Sequence, residues 1–374
     1  MPDALPRPIP RLRLIRWLLA ACFSAAACLS AAACTPAAPA DDPAACKIAF
    51  LLPETKTARY ETQDLPNFRQ RLIELGFDVN TDLIYSNAHQ DAATQQQQAE
   101  AALTNGARVL VLDPVDSDAA ARIADLARSQ NVPVISYDRL IKGSAGVSYY
   151  ISFDNELVGR LQGEALLAAL RQAGRPGQPV IVMINGSPTD NNAVEFKRGA
   201  HRVLDGQVII AKEYDTPDWS PDKAQQLMEQ ALTALSNRVD GVYAANDGTG
   251  GGAIAAMKAA GLNPLPPVTG QDAELSAIQR ILSGEQYMTV YKAIRPEARI
   301  AAELAQTLCR GERPDDARFT ARVNNGAIDV PAILLAPIAV TKHNIKQTVI
   351  DDGFWTLADI CTPEFEAACA ATLK

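Results

Sequence analysis

Short apolar runs of strand length alternate with helical segments along most of this 374-residue chain, and no other feature restricts the fold as strongly. In the first half, the apolar runs cover residues 47–52, 82–85, 108–112, 132–136 and 149–153. The segments between them have helical spacing, and Asp91 is the predicted N-cap of one of these helices. Because parallel strands are joined by crossover connections that are usually helices, the pattern predicts a parallel sheet covered by helices.

The alternation then starts a second time. Apolar runs at residues 180–184, 208–211, 241–245, 267–269 and 288–291 are again separated by helical segments. A chain of this length is expected to hold two domains at ~150 residues each, and the two series predict two α/β lobes. A helix at about residues 296–309 and a late strand at 333–340 follow the second series. We therefore expect the chain to cross between the lobes more than once.

The first 33 residues have the composition of an export signal. Four arginines precede an apolar, alanine-rich stretch at residues 17–34, as in a signal peptide with a basic and a hydrophobic region. The stretch falls short of the ~20 residues of a membrane span, so we expect export. Small residues before Cys34 resemble a bacterial lipobox, so Cys34 is the predicted lipidation site; plain cleavage and lipidation at Cys28 are the alternatives. Residues 34–46, rich in Ala and Pro, are the predicted tether.

The charge of the exported chain argues against nucleic acid as a partner. Removing residues 1–33 takes away four arginines and one aspartate, which leaves 31 basic and 42 acidic residues and a net charge of −11. Nucleic-acid phosphates are held mainly by Lys and Arg, so a chain with this excess of acid is a poor match for them. We expect a ligand that is not polyanionic.

Four further cysteines, Cys46, Cys309, Cys361 and Cys369, remain in the exported chain. An even number of cysteines outside the cytoplasm suggests disulfides, and four cysteines allow three pairings. Cys361 and Cys369 bracket a short segment and are the predicted pair, with buried free thiols as the alternative. The sequence has no C-x2-C pair and no nearby pair of histidines, so we expect no metal site.

Polar and charged side chains follow the predicted strands, at the end where ligands bind in open α/β sheets. These residues include Asp138 and Arg139, the segment 185–192, Asn246 and Asp247, Asp272, and Lys292, with Trp219 beyond the strand at 208–211. Carboxylate and amide oxygens accept the protons of sugar hydroxyls, cations and amides donate to their oxygens, and an aromatic ring covers the C–H face. The set therefore favours an uncharged polyol, although each residue alone fits a surface pair or a core position. Asp247 is either a neighbour of this site or the N-cap of the following helix.

Six motifs resemble those of the periplasmic D-xylose-binding proteins of bacterial ABC transporters. They are the segments 137–139, 150–156, 186–192, 246–247, 270–273 and 289–292, and the likeness runs from about residue 47 to 353. The family implies an α/β fold of two Rossmann-like lobes joined by three crossings: 47–154 with 293–336, and 155–292 with 337–374. Its sugar contacts would fall on Arg59, Tyr60, Asp138, Arg139, Asn192, Trp219, Asn246, Asp272 and Lys292. Tyr60 stands where the family tends to have Trp, so pentose or hexose preference stays open.

The resemblance implies a monomeric extracytoplasmic protein that captures a monosaccharide, with D-xylose as the leading candidate. The lobes would close over the sugar, and an ABC transporter permease would recognise the closed form. No cofactor is expected, and no G-x-x-x-x-G-K-[ST] loop for ATP occurs in the chain. The alternatives are a sensor lobe that feeds a membrane receptor, a glycosidase that uses Asp138 and Asp272, and a sugar-responsive regulator. The cations Arg139 and Lys292 would keep the two carboxylates ionised, which argues against a glycosidase.

Overall fold

The computed structural model describes residues 46–174 and 177–373. The predicted signal peptide, the lipidation site at Cys34 and the tether up to residue 45 lie outside these residues. Among the helices of the described part, none combines the length and the apolar character that crossing a membrane requires.

Strands and helices alternate as the sequence predicts. The strands are β1 (Lys47–Leu52), β2 (Leu83–Asn87), β3 (Ala107–Leu112), β4 (Val134–Tyr137), β5 (Val147–Phe153), β6 (Val180–Asn185), β7 (Ile209–Asp215), β8 (Gly241–Ala244), β9 (Thr289–Tyr291), β10 (Ala321–Asn324), β11 (Asp329–Leu335) and β12 (Ile338–Val340). The helices are α1 (Leu65–Glu74), α2 (Ala92–Thr104), α3 (Ala121–Ser129), α4 (Asn155–Gln172), α5 (Asn191–Leu204), α6 (Pro221–Leu235), α7 (Asp247–Ala259), α8 (Leu275–Ser283), α9 (Ile294–Cys309), α10 (Leu357–Ile360) and α11 (Glu366–Thr372). Asp91 caps α2 as predicted, because its side chain accepts a hydrogen bond from the Thr94 amide.

The first lobe is built on a seven-stranded sheet in the order β10-β11-β5-β4-β3-β1-β2. All neighbouring strands are parallel except β10 and β11. Helix α9 packs on this sheet although it follows the second series in the chain, and its Ala298 and Ala302 share one apolar cluster with Phe50 and Phe68. The order 2-1-3-4-5 places the reversal of strand order at β1 and β3, where ligands bind in such sheets.

The second lobe is built on a parallel three-stranded sheet in the order β7-β6-β8, and the antiparallel pair β9 and β12 lies apart from it. Two lobes, each built on a sheet whose strands are all or mostly parallel, confirm the predicted fold class. The predicted strand at 267–269 is wrong, because only Val268 forms an isolated bridge, with Val242. The late strand at 333–340 is two strands, β11 and β12, and Pro337 between them has no N–H for a ladder. The predicted lobe boundaries stay a prediction.

Helices α4 and α5 of the second lobe pack closely through two glycines. A Cβ atom at Gly159 would overlap the Phe196 carbonyl, and one at Gly199 would overlap the Glu156 carbonyl. Both collisions involve main-chain atoms, which cannot rotate away as a flexible side chain can. The two glycines therefore fix the position of α5, whose N-terminal turn carries Asn192.

Two disulfides join the four cysteines of the described residues. Cys46, next to β1, pairs with Cys309 at the end of α9, which ties two segments 263 residues apart. Cys361 pairs with Cys369, eight residues away. The second bond closes a short loop at the C-terminus, between α10 and α11.

Candidate ligand-binding site in the cleft

The carboxyl ends of the strands in both lobes face one cleft, and all nine predicted site residues line a single cavity there. They are Arg59, Tyr60, Asp138, Arg139, Asn192, Trp219, Asn246, Asp272 and Lys292. The space between the atoms that line this cavity, including the part open to solvent, is about 250 Å³.

Arg59, from the loop after β1, is held by three buried acids. Its Nε and one terminal nitrogen donate to the two carboxylate oxygens of Asp64 at 2.9 and 2.7 Å. The same terminal nitrogen donates to Glu297 at 2.8 Å, and the other one donates to Asp138 at 3.2 Å. Burial raises the pKa of Glu297 well above its ordinary value. These bonds fix the guanidinium, and one of its terminal nitrogens binds Asp138, which is part of the cavity wall.

Asp138 follows β4 and stays ionised. Burial alone would raise its pKa, but the charges of Arg59 and Lys292 outweigh burial and hold the pKa well below its usual range. The Tyr60 hydroxyl donates to the same carboxylate at 3.0 Å. This bond fixes the orientation of the Asp138 carboxylate. A Trp at position 60, as the family tends to have, would carry its N–H donor at a different place on the ring.

Arg139 joins the two lobes through Asp190. Its Nε lies 3.0 Å from the Asp190 carboxylate and 3.6 Å from Asp113. The Trp219 indole N–H donates to Asp190 at 3.0 Å, so one carboxylate orients both the cation and the aromatic ring. The Asp190 carboxylate also accepts a hydrogen bond from the main-chain N–H of Asn192 at the start of α5. A side chain held at its polar end in this way presents the rest of the ring to the cavity.

Lys292 directly follows β9 and faces two acids. Its Nζ lies 3.1 Å from Asp272 and 3.7 Å from Asp138, and each of the three side chains is at most 3% exposed. The ammonium also lies 5.5 Å from the Phe153 ring centroid and 5.9 Å from that of Phe196. Asp272 Oδ1 is buried and makes no hydrogen bond of good geometry with a described residue, and the Lys292 Nζ contact at 3.1 Å is to this same oxygen. A carboxylate oxygen has two lone pairs, so it can still accept a hydrogen bond from a ligand hydroxyl.

The two asparagines have divided roles. Asn246 caps α7, because its side-chain oxygen accepts from the Thr249 amide at 2.8 Å, which leaves its NH2 group for a ligand. The alternative that Asp247 caps this helix is therefore wrong: the cap is one residue earlier. Asn192 donates to the Asp138 carbonyl at 3.1 Å and accepts from Asn155 at 2.9 Å. Asn192 thus joins the second lobe to the loop after β4.

Three of the site residues have a backbone conformation that L residues rarely adopt. Their φ angles are 53° at Asp138, 51° at Trp219 and 90° at Asp272. Non-glycine residues in this region cost ~1–3 kcal/mol each and persist where the surrounding structure fixes them, commonly at binding sites. Sequence reasoning had no signal for this strain, because no glycine marks the positions.

Sequence reasoning missed several residues of the site. Asp190, Gln271, Phe196 and Thr57 line the cavity, while Glu54, Asp64, Asp113 and Glu297 surround its cations. Asp190 and Gln271 lie inside strand-end segments that the sequence had already marked, so their position was a usable signal. Glu297 lies in α9 and reaches Arg59 across 238 positions of sequence, and no local pattern indicates such a contact.

The two lobes touch beside the cavity. The Ser117 amide donates to the Thr189 carbonyl at 2.9 Å, and the Ser117 hydroxyl accepts from the Asn191 amide at 3.1 Å. Together with the pair of Arg139 and Asp190, these bonds hold the cleft in a closed arrangement.

Asp247 is a buried acid outside the cavity lining, and its raised pKa implies that the stability of the protein depends on pH. It is buried and accepts from Gln286, Thr289 and the Glu274 amide, and burial raises its pKa from 3.8 to about 7. A raised native pKa means that stability from this group is complete below about pH 4 and is lost as the pH rises through about 7. We expect the Tm of Asp247→Asn, measured relative to that of the unmodified protein, to increase by a few degrees as the pH rises from 4 to 8. Thermal unfolding across this range measures the difference, and a constant offset would contradict the prediction.

Comparison with known proteins agrees with this geometry. The family model described as a periplasmic binding protein domain matches residues 48–313. The D-xylose-binding periplasmic protein of Escherichia coli K12 is 38% identical over 313 residues, which cover 82% of this chain and 90% of that protein. A multiple sugar-binding periplasmic receptor of Rhizobium radiobacter is 32% identical and covers 82% of this chain and 90% of its own length.

A solved structure supports the same conclusion. The carbohydrate transporter solute binding protein from Chloroflexus aurantiacus, in complex with D-glucose, has a TM-score of 0.75 and 31% sequence identity. The match covers 83% of this chain and 97% of that chain. All of these relatives are named as binding proteins or receptors and none as an enzyme. The chain therefore belongs to the family of periplasmic binding proteins, with the type I fold.

Proposed function

We propose that this protein captures a monosaccharide outside the cytoplasm and delivers it to the permease of an ABC transporter, with D-xylose as the leading ligand. The names of the relatives from Escherichia coli and Chloroflexus aurantiacus support a sugar ligand and a transport role. D-xylose is the leading ligand because the Escherichia coli relative, at 38% identity, is named a D-xylose-binding protein. Related aldoses are therefore included in the binding test.

The observation that carries the proposal is the unused hydrogen-bonding capacity around a small cavity. Asp272 Oδ1 is buried with the Lys292 ammonium at 3.1 Å and can accept a further hydrogen bond. The side-chain NH2 group of Asn246 can donate one, because the side-chain oxygen is the atom that caps α7. Trp219 adds an aromatic wall. A neutral polyol satisfies donors, acceptors and an apolar face at once, whereas a second charge inside the cavity would have to be buried beside ions that are already paired.

The proposed mechanism is lobe closure. Arg59, Tyr60, Asp138 and Arg139 come from the first lobe, and Asn192, Trp219, Asn246 and Asp272 come from the second. A sugar that bonds to both sets stabilises the closed form, because its binding energy exists only when the lobes meet. We propose that the hinge consists of three passages of the chain between the lobes, near residues 153–155, 291–292 and 336–337. The permease would recognise the closed surface.

The location outside the cytoplasm agrees with the periplasmic relatives. We further propose that the export signal ends before Cys34, that a lipid on this cysteine anchors the protein to a membrane, and that the protein acts as a monomer. Mass spectrometry of the exported protein would detect an acylated Cys34, and Cys34→Ser would release the protein from the membrane fraction.

Isothermal titration calorimetry over a panel of monosaccharides tests the proposed function. The panel contains D-xylose, D-glucose, D-galactose and L-arabinose, and we expect at least one to bind with a Kd of about 10 µM or lower, a free energy near −7 kcal/mol. Methyl-α-glucoside or a sugar acid serves as a control that should bind weakly. Absence of binding by every sugar would refute the proposal.

A sensor role is the second candidate, because the relative from Rhizobium radiobacter is named a receptor. Both roles use the same closed form, so purified protein does not separate them. Deletion of the gene would abolish sugar uptake in the transport role, whereas in the sensor role uptake would persist and the response to sugar would be lost.

A further inference from the structure

The C-terminal cap, residues 354–373, lies beyond residues 48–313, which the family model of periplasmic binding proteins matches. It contains α10, α11 and the disulfide between Cys361 and Cys369. Phe354, Ile360 and Cys369 of the cap share one apolar cluster with Ile278 and Ile281 of α8. The cap is therefore packed on the second lobe next to the turn that carries Asp272.

One hydrogen bond joins the cap to this turn. The Trp355 indole N–H donates to the Ala273 carbonyl at 2.8 Å, and the Trp355 ring packs edge-on against Phe354 with centroids 5.5 Å apart. Trp355 does not line the cavity. An effect of Trp355 on a ligand therefore has to pass through its neighbours: the turn of Asp272 and Ala273, or Phe354, which packs edge-on against Tyr291 beside Lys292.

This turn needs external support. The φ angles of Asp272 and Ala273 are 90° and 50°, and neither residue is glycine. Two bonds hold the turn from the strand side, since the Asp272 amide donates to the Val290 carbonyl at 2.9 Å and the Ala273 amide donates to the Thr289 hydroxyl at 3.2 Å. A third bond reaches the turn from the cap: the Trp355 indole N–H donates to the Ala273 carbonyl. Two adjacent residues in the left-handed region relax when such bonds are lost, and the Asp272 carboxylate would then leave its place beside Lys292.

We infer that Trp355 is a positioning residue for the monosaccharide site: its indole N–H fixes the turn that aims Asp272 into the cavity. The inference rests on the proposed function and adds the cap, through Trp355, to the sugar-binding apparatus. The segment before Trp355 is itself fixed near the hinge, because Arg295 donates to the carbonyls of Asp352 and Gly353 at 3.0 and 3.2 Å. Gln63 of the first lobe reaches the Phe354 carbonyl at 3.4 Å.

Trp355→Phe is the first test, because it removes the N–H donor and keeps an aromatic ring. We expect the Kd for the sugar that binds most tightly to rise about fivefold, the effect of losing one bond that orients a ligand-binding group. Gln279→Ala is the matched control. It removes hydrogen bonds from α8 to the Asp359 and Ile360 carbonyls of the cap without touching the turn, and its Kd should stay within twofold of the unmodified protein.

A double-mutant cycle distinguishes positioning from a general loss of stability. In an Asp272→Ala background, adding Trp355→Phe should change the Kd by less than twofold, because the group that Trp355 positions has already been removed. The same fivefold effect in both backgrounds would overturn the inference, since Trp355 would then act on the site by another route.

Hydrogen exchange provides a measurement that needs no sugar. The amides of residues 270–276 should exchange faster in Trp355→Phe and at the normal rate in Gln279→Ala. Unchanged exchange in Trp355→Phe, or an unchanged Kd, overturns the inference. If the unmodified protein binds no monosaccharide, the proposed function fails instead, and the exchange rates still show whether Trp355 supports the turn.

Discussion

Asp272→Ala is expected to weaken monosaccharide binding by about 10- to 150-fold, which corresponds to the ~1.5–3 kcal/mol of a hydrogen bond to a charged group. The carboxylate is 2% exposed, and the Lys292 ammonium lies 3.1 Å from its Oδ1. Removing it takes away an acceptor for the ligand hydroxyl. It also removes the nearer of the two acids that face the buried Lys292 ammonium and leaves Asp138 at 3.7 Å. Calorimetry with the sugar that binds most tightly measures the loss.

Two variants control this experiment. Asp272→Asn keeps one oxygen and the size of the side chain, so its affinity should fall between those of the unmodified protein and Asp272→Ala. Asp316→Ala removes an acid that is 71% exposed and paired with Arg313 on the surface, and it should leave the Kd unchanged. Unmodified affinity in a folded Asp272→Ala protein would show that the sugar does not bind in this cavity.

Trp219→Ala is expected to weaken binding by about 10- to 100-fold, or about 1.4–2.8 kcal/mol. The substitution removes the aromatic wall of the cavity and leaves Asp190 without the indole donor at 3.0 Å. Trp219→Phe keeps a ring and loses the N–H, so a smaller loss is expected. Sugar should also change the tryptophan fluorescence of the unmodified protein, and this change should be largely absent in Trp219→Ala.

Gly186→Ala tests the same wall from the other side. A Cβ atom at Gly186 would overlap the Trp219 ring, so the methyl group should displace the ring and reproduce part of the loss of affinity. Gly251→Ala is the control, because the nearest neighbour of its Cβ would be the flexible end of Arg280 at 3.3 Å. Normal affinity in both Trp219→Ala and Gly186→Ala would contradict a role for this ring in binding.

Much of the site could be predicted because its residues are marked by their place relative to strands. Asp138 follows β4 and Asn246 follows β8, and parallel strands bring their carboxyl ends to one edge of each sheet. The resemblance to sugar-binding proteins then added Arg59, which follows β1 after a longer loop. The two failures in strand prediction were also local: residues 267–269 contribute one bridge, and Pro337 divides the late strand.

Other features had no signal in the sequence. The segment that contains Asp190 was marked, but nothing in it indicated that Asp190 orients Arg139 and Trp219 together. Glu297 reaches Arg59 from a helix that follows both series. Four cysteines allowed three pairings, and only the packing of α9 against the first sheet brings Cys309 to Cys46. Trp355 lies outside every motif, yet it contacts the turn of Asp272.

The sequence by itself determined the alternation of strands and helices, the two lobes and the strand ends that carry polar groups, because these depend on hydrophobic period and on local turn chemistry. Only the tertiary structure decided which acids neutralise Arg59, Arg139 and Lys292, which backbone angles aim Asp138, Trp219 and Asp272, and what supports them from behind. Those properties depend on distances between segments up to 263 residues apart, and such distances are set by the packing of the whole chain.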